Sequence, residues 1–209
     1  MELEIPEPEL QQRLLQYARE NQLEQLKSII GLTKNPDELV NQRSLVTGRC
    51  VLHEACAVGH KEVVKYLLNE TMCDVSAKTF LGRAGPLHLA ASQGNRSIVF
   101  LLLSHGANPV AQDRFGNTPL HLAPTKNIAR LIVEYGGSVM IYNKWRKDAE
   151  QVAHERDPDN KPLLDYLAEI GHQEYLKMQK EIRRAKEIKR QASRIARRRK
   201  TKKINYYLK

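Results

Sequence analysis

Apolar positions in this chain recur with a helical period, and the helices come in pairs. Val63, Val64, Leu67 and Leu68 fall on one face of a helix. Ile98-Val99-Phe100-Leu101-Leu102 is the counterpart one unit on. A shorter stretch precedes each: Leu52-His53-Glu54-Ala55-Cys56, and Gly85-Pro86-Leu87-His88-Leu89-Ala90-Ala91. Gly59 and Gly94 sit between the members of each pair, where a left-handed residue ends the first helix. A third short stretch reads Gly116-Asn117-Thr118-Pro119-Leu120-His121-Leu122-Ala123. Pro119 suits the first helical turn, where its missing N–H is unpaired anyway, and the Thr118 hydroxyl is placed to cap that end. Ala55, Ala90 and Ala123 share a position at which a small side chain lets two helices approach. Each unit is therefore helix, turn, helix and projecting loop. None can bury its apolar face alone, so neighbours must stack.

The three histidines, at 53, 88 and 121, are spaced by 35 and 33 residues. A period near 33 with a T-P-L-H-x-A phrase resembles the ankyrin repeat. Degraded copies extend the pattern at both ends. Upstream, Gln16 takes the histidine position and Asn21 the glycine position, and the spacing of 37 to His53 predicts a longer loop. Downstream, Gln151 follows His121 by only 30, and Pro124 predicts a clipped first helix in the fourth unit. Leu163, Leu164, Tyr166 and Leu167 supply the last packed helix. The fold expected from the resemblance is all-α: an ankyrin-repeat solenoid of about five units, followed by a long basic C-terminal helix. Residues 1–9 read as an N-terminal extension, 10–168 as the array and 169–209 as the basic helix and tail. The family resemblance implies a non-enzymatic module that binds proteins.

Charge changes the picture at the C-terminus. Residues 171–209 hold fifteen lysines and arginines against three glutamates, a net of +12 in a chain of +10. Residues 1–170 therefore carry −2, and the excess belongs to the tail alone. From His172 to Lys200 there is no Gly or Pro, and good helix formers dominate. Met178, Ile182, Ala185, Ala192 and Ile195 approximate one narrow apolar stripe. The candidate contacts to an acidic surface are Arg183, Arg184, Lys189, Arg190, Arg194, Arg197, Arg198, Arg199, Lys200, Lys202 and Lys203. An acidic protein surface such as tubulin is the favoured partner for the tail. That reading places the chain in the cytoplasm, within a cytoskeletal or ciliary assembly. The alternative is a nuclear or RNA-associated protein, with the basic run as an import signal or a phosphate-binding element.

The tips of the projecting loops carry the second set of candidates. Leu81, Phe115 and Trp145 each stand one residue before the loop-glycine position. Large apolar groups at equivalent tips would form a ladder that anchors a partner. Around Leu81 the loop has one extra residue, in Gly82-Arg83-Ala84-Gly85-Pro86, which leaves the direction of that tip open.

Catalytic readings find little support. His53, His88 and His121 occupy one repeat position, and the resemblance makes them structural hydrogen-bonding residues between repeats. The chain contains no G-x-x-x-x-G-K-[ST] phosphate loop and no G-x-S-x-G elbow. Asp157-Pro158-Asp159-Asn160 reads as a turn, not a calcium loop. Cys50, Cys56 and Cys73 lack zinc spacing and read as small buried residues of a reducing compartment. No cofactor, metal, small-molecule substrate or membrane span is expected.

Overall fold

The computed structural model describes the backbone of residues 7–207 and the side-chain surroundings of residues 9–193. Among the described residues every regular element is a helix. They run as α1 (Glu7–Arg19), α2 (Leu23–Leu32), α3 (Pro36–Asn41), α4 (Val51–Val58), α5 (Lys61–Glu70), α6 (Pro86–Ser92), α7 (Arg96–Ser104), α8 (Pro119–Leu122), α9 (Lys126–Glu134), α10 (Ala149–Arg156) and α11 (Lys161–Tyr207). The chain divides into two units, one ending at Ala168 and the other beginning at Glu169.

In the first unit the helices form two layers. α1, α4, α6, α8 and α10 stack as an inner layer, while α5, α7 and α9 stack outside them. Ala55, Ala90 and Ala123 lie between inner helices and are essentially fully buried. Val63, Val64 and Leu67 of α5, and Ile98, Val99 and Leu102 of α7, face inward. This is the apolar face that stacking was expected to cover. Gly59 ends α4 at φ 95°, and Asn21 takes the same left-handed turn after α1 at φ 58°. Asn is among the few side chains that visit this region readily, so it serves where the next two units use Gly59 and Gly94.

The two irregular units are explained by what fills them. The long link after α2 folds into α3, whose Leu39 and Val40 are buried. α3 also clasps the next unit: the Asp37 carboxylate accepts from Met72 N–H at 3.0 Å, and Asn41 Nδ2 donates to the Met72 carbonyl at 2.8 Å. In the fourth unit α8 has only four residues, and Ala123 and Pro124 leave the helix. Its open carbonyls are closed from the next unit. Arg156 donates to the carbonyls of His121, Leu122 and Ala123, and Asn160 donates to that of Pro124 at 3.0 Å.

α11 begins in the array, where Leu163 and Leu167 are buried. Beyond Glu169 it is a helix with its described side chains largely exposed. No helix among the described residues is long and apolar enough to cross a membrane.

Candidate interaction surface

The inter-unit histidines form a relay that fixes the loops. In the three units that carry this histidine, the N–H of the residue before the inner helix donates to its Nδ1: Cys50 to His53 at 3.3 Å, Gly85 to His88 at 3.2 Å and Thr118 to His121 at 3.2 Å. Since Nδ1 accepts, the ring proton is on Nε2. Nε2 then donates to a carbonyl of the following loop: Ala84 at 3.3 Å, Asn117 at 3.1 Å and Lys147 at 3.2 Å. The expected Thr118 hydroxyl cap is replaced accordingly. Its oxygen lies 2.9 Å from the His121 ring nitrogen and makes no bond to an N–H of the helix, so the hydroxyl holds the ring and does not cap the helix. Gln151, at the equivalent position of the fifth unit, forms a reciprocal cap with Asp148 instead.

Burial holds these rings neutral. It pushes the His53 pKa down from 6.5 to about 4, and it lowers His88 and His121 in the same direction. Between 6.5 and 4 the unfolded chain therefore takes up a proton that folded His53 refuses. Stability is full above the unfolded value and falls as pH drops towards the folded one. His53 alone should cost about 3 kcal/mol by the time the lower value is reached. Thermal melting across this window checks it, and His53→Gln should flatten the slope. A melting temperature equally pH-dependent in that variant would show that other groups carry the titration.

The loops held in this way form four fingers, at residues 44–49, 79–84, 113–117 and 143–147. In each finger the first N–H bonds to the last carbonyl: Ser44 to Arg49, Thr79 to Ala84, Asp113 to Asn117 and Asn143 to Lys147, at 2.9 to 3.0 Å. Backbone bonds also join successive fingers: Phe80 N–H to Thr47 at 3.2 Å, Arg114 N–H to Gly82 at 2.7 Å and Lys144 N–H to Phe115 at 2.9 Å. The approach is close enough that a Cβ on Gly48 would meet the Phe80 backbone nitrogen at 2.4 Å. The fingers are thus one continuous edge of fixed spacing.

Leu81, Phe115 and Trp145 are exposed at this edge, at 69%, 46% and 60%. Phe115 and Trp145 stack, with ring centroids 5.6 Å apart. Leu81 is displaced by the extra residue. The left-handed residue of its finger is Arg83 (φ 49°), not Gly82, matching Gly116 (φ 81°) and Arg146 (φ 60°). The position equivalent to Phe115 is therefore Gly82, with Phe80 and Leu81 both projecting beside it. Three members of the edge were missed in the sequence: Leu45, Val46 and Phe80, exposed at 92%, 83% and 53%. The first finger has the same extra residue as the second, and aligning Gly48 with Gly116 would have revealed it.

The same edge is basic. Across residues 43–49, 78–84, 112–118 and 143–148 there are eight lysines and arginines and two aspartates. Both aspartates are used by the backbone: Asp113 accepts from Phe115 and Asn117 N–H at 2.8 Å each, and Asp148 caps α10. Arg49 pairs with Glu54, and Lys147 with Glu155. Arg43, Lys78, Arg83, Arg114, Lys144 and Arg146 have no carboxylate of the described residues within ion-pair distance. A hollow of about 540 Å³ opens between the second and third fingers, lined by Lys78, Arg83, Leu87, Val110 and Asp113 among others.

Of the tail candidates, Arg183, Arg184, Lys189 and Arg190 are exposed on α11. Arg194, Arg197, Arg198, Arg199, Lys200, Lys202 and Lys203 lie outside the residues whose side chains are described. The stripe of Met178 and Ile182 extends to Tyr175, three residues earlier, and all three are partly exposed. Cys73 corrects the expectation of three buried thiols. Cys50 and Cys56 are buried, whereas Cys73 is only half-buried, its thiol pushed up to about 11 by desolvation. Among the described residues no cluster of His, Cys, Asp or Glu could hold a metal ion.

Residues 14–113 and 87–178 match the family described as ankyrin repeats, three copies. The chain belongs to the ankyrin-repeat family. Ankyrin repeats imply protein–protein interaction, and the family is generally non-enzymatic. The chain is 37% identical over 92 residues to YahD of Escherichia coli strain K12, a protein named as an ankyrin repeat protein, covering 41% of this chain and 46% of YahD. It is 29% identical over 126 residues to the human BCL-6 corepressor-like protein 1, covering 59% of this chain and 7% of that one. The chain thus spans less than half the length of either relative.

Proposed function

We propose that this ankyrin protein is a non-enzymatic adaptor with two attachment points. The finger edge holds one protein, and the basic helix after Glu169 fastens to a second, acidic surface. A tubulin-like lattice within a cytoplasmic cytoskeletal or ciliary assembly fits the second role. The observation that carries the reading is the finger edge. Large apolar side chains stand exposed on a rigid backbone, and the histidine relay already provides structural reasons for the residues beneath them. A few such anchors supply most of the affinity at protein interfaces.

Phe115→Ala with Trp145→Ala should leave the melting temperature nearly unchanged, since both rings are exposed. Affinity capture from cells should lose its finger-dependent partners, each ring contributing on the order of 2 kcal/mol. A strong drop in melting temperature would instead make the tips part of the core. For the tail, Arg183→Glu, Arg184→Glu, Lys189→Glu and Arg190→Glu together should abolish co-sedimentation with microtubules. Undiminished co-sedimentation would remove the tail from the adaptor. Loss of RNA binding instead, with log K falling linearly against log salt, would favour the RNA-associated alternative.

A further inference from the structure

Resting on the adaptor reading, we infer the chemistry of the partner held by the fingers: an acidic protein segment that carries apolar or aromatic side chains between its carboxylates. Two features of the edge argue for it together. The edge, over residues 43–49, 78–84, 112–118 and 143–148, holds a net charge of +6 within a body, residues 1–170, of net −2. The charge is concentrated where the apolar tips are, and Glu54 and Glu155, the partners of Arg49 and Lys147, offset only two of the eight cations. Both aspartates of the fingers are consumed by N–H groups of their own turns. Arg114 and Arg43 reach only carbonyls, of Leu81 and Lys78 at 3.3 Å each, which leaves their charge uncompensated.

Like charge on a partner would be repelled, and a neutral apolar partner would have to leave these cations desolvated and unpaired. Carboxylates set between apolar side chains satisfy both features at once. The hollow beside Lys78 and Arg83 is lined by polar groups, Ser76, Asn108 and Gln112 among them, as well as by Val110, and so offers a mixed socket for one side chain of the segment. The chain's own basic tail is excluded as occupant by its charge of +12. A single-stranded nucleic acid also offers negative charge and flat rings. However, Leu45, Val46, Phe80 and Leu81 continue the edge, three of them aliphatic, and base stacking would leave those three unused.

The test uses the full-length chain and labelled peptides. The acidic probe alternates pairs of glutamates with single phenylalanines. In one control lysine replaces glutamate, and in another serine replaces phenylalanine. The acidic probe should bind and both controls should be far weaker. Arg114→Glu, Lys144→Glu and Arg146→Glu together should weaken it at least about tenfold, and Phe115→Ala with Trp145→Ala should do so independently. The milder set Arg114→Gln, Lys144→Gln and Arg146→Asn should give a smaller loss, and it guards against misfolding of the reversed variant. The tail variant should bind as wild type does. No binding of the acidic probe, or binding insensitive to the finger charges, overturns the inference. If capture of cellular partners still depends on Phe115 and Trp145 in that case, the adaptor reading survives it. If neither depends on them, both fall. Loss in the tail variant alone would move the acidic site to α11. Finger-dependent binding of a labelled oligouridylate as tight as that of the peptide would replace protein by nucleic acid.

Discussion

Ala90→Arg should unfold much of the array. Ala90 has no exposed surface and lies where α6 meets its inner-layer neighbours α4 and α8. An arginine there must either bury a guanidinium without a partner or push two helices apart. Either course costs about 4 kcal/mol or more, a large share of what holds a small domain together. Because each unit is stable only against its neighbours, the damage should spread along the stack. Circular dichroism and thermal melting read it directly. Native helicity with an unshifted transition would mean that the inner layer does not pack at this alanine.

Arg19→Ala combined with Arg49→Ala should destabilise the first two units by about 4 kcal/mol, because it strands a buried charge. Glu54 lies in α4 with its side chain 3% exposed, held by Arg19 of α1 at 2.9 Å and by Arg49 at 3.4 Å. Burial pushes its pKa up, but the hydrogen bond and charge of Arg19, with help from Arg49, outweigh this, so the carboxyl stays below its ordinary value. Without both arginines only desolvation remains. The rescue is more informative than the loss. The equivalent residues of the next two units are Leu89 and Leu122. Adding Glu54→Leu to the double variant should restore most of the stability, since no ion is then buried. If the triple variant melts as low as the double, the arginines stabilise by packing and not by charge.

Much of this architecture could be read from the sequence, for reasons that differ residue by residue. The histidine spacing gave the register because each ring bridges two units and so must recur once per unit. Asn21 and Gly59 could be read because few residues accept a left-handed turn. The clipped helix α8 followed from a proline where a helix would otherwise continue. The helix α3 stands where the repeat spacing predicts only a longer loop, although Asn35-Pro36-Asp37-Glu38 carries the signals of a helix start. Glu54 was missed because a carboxylate in a repeat phrase looks exposed until two arginines from elsewhere in the chain are seen around it. The finger edge was half visible. Its tips follow from the glycine position only where the loop keeps its usual length, and in the first two fingers one extra residue shifts the left-handed position off the count. Its charge balance depends on which aspartates the backbone has already taken, and only the fold shows that.

The short helix α8 also bears on how such arrays are built and rearranged. Repeats of this kind can be duplicated, deleted or exchanged when each closes its own ends. Here one unit depends on the next: the carbonyls after Leu120 are met by Arg156 and Asn160, residues of the following unit. A crossover between the fourth and fifth units would leave one with open carbonyls and the other with a guanidinium lacking its acceptors. The pair therefore moves intact only as one segment, and a design that grafts the last two fingers onto another array must carry residues 113–168 as one cassette.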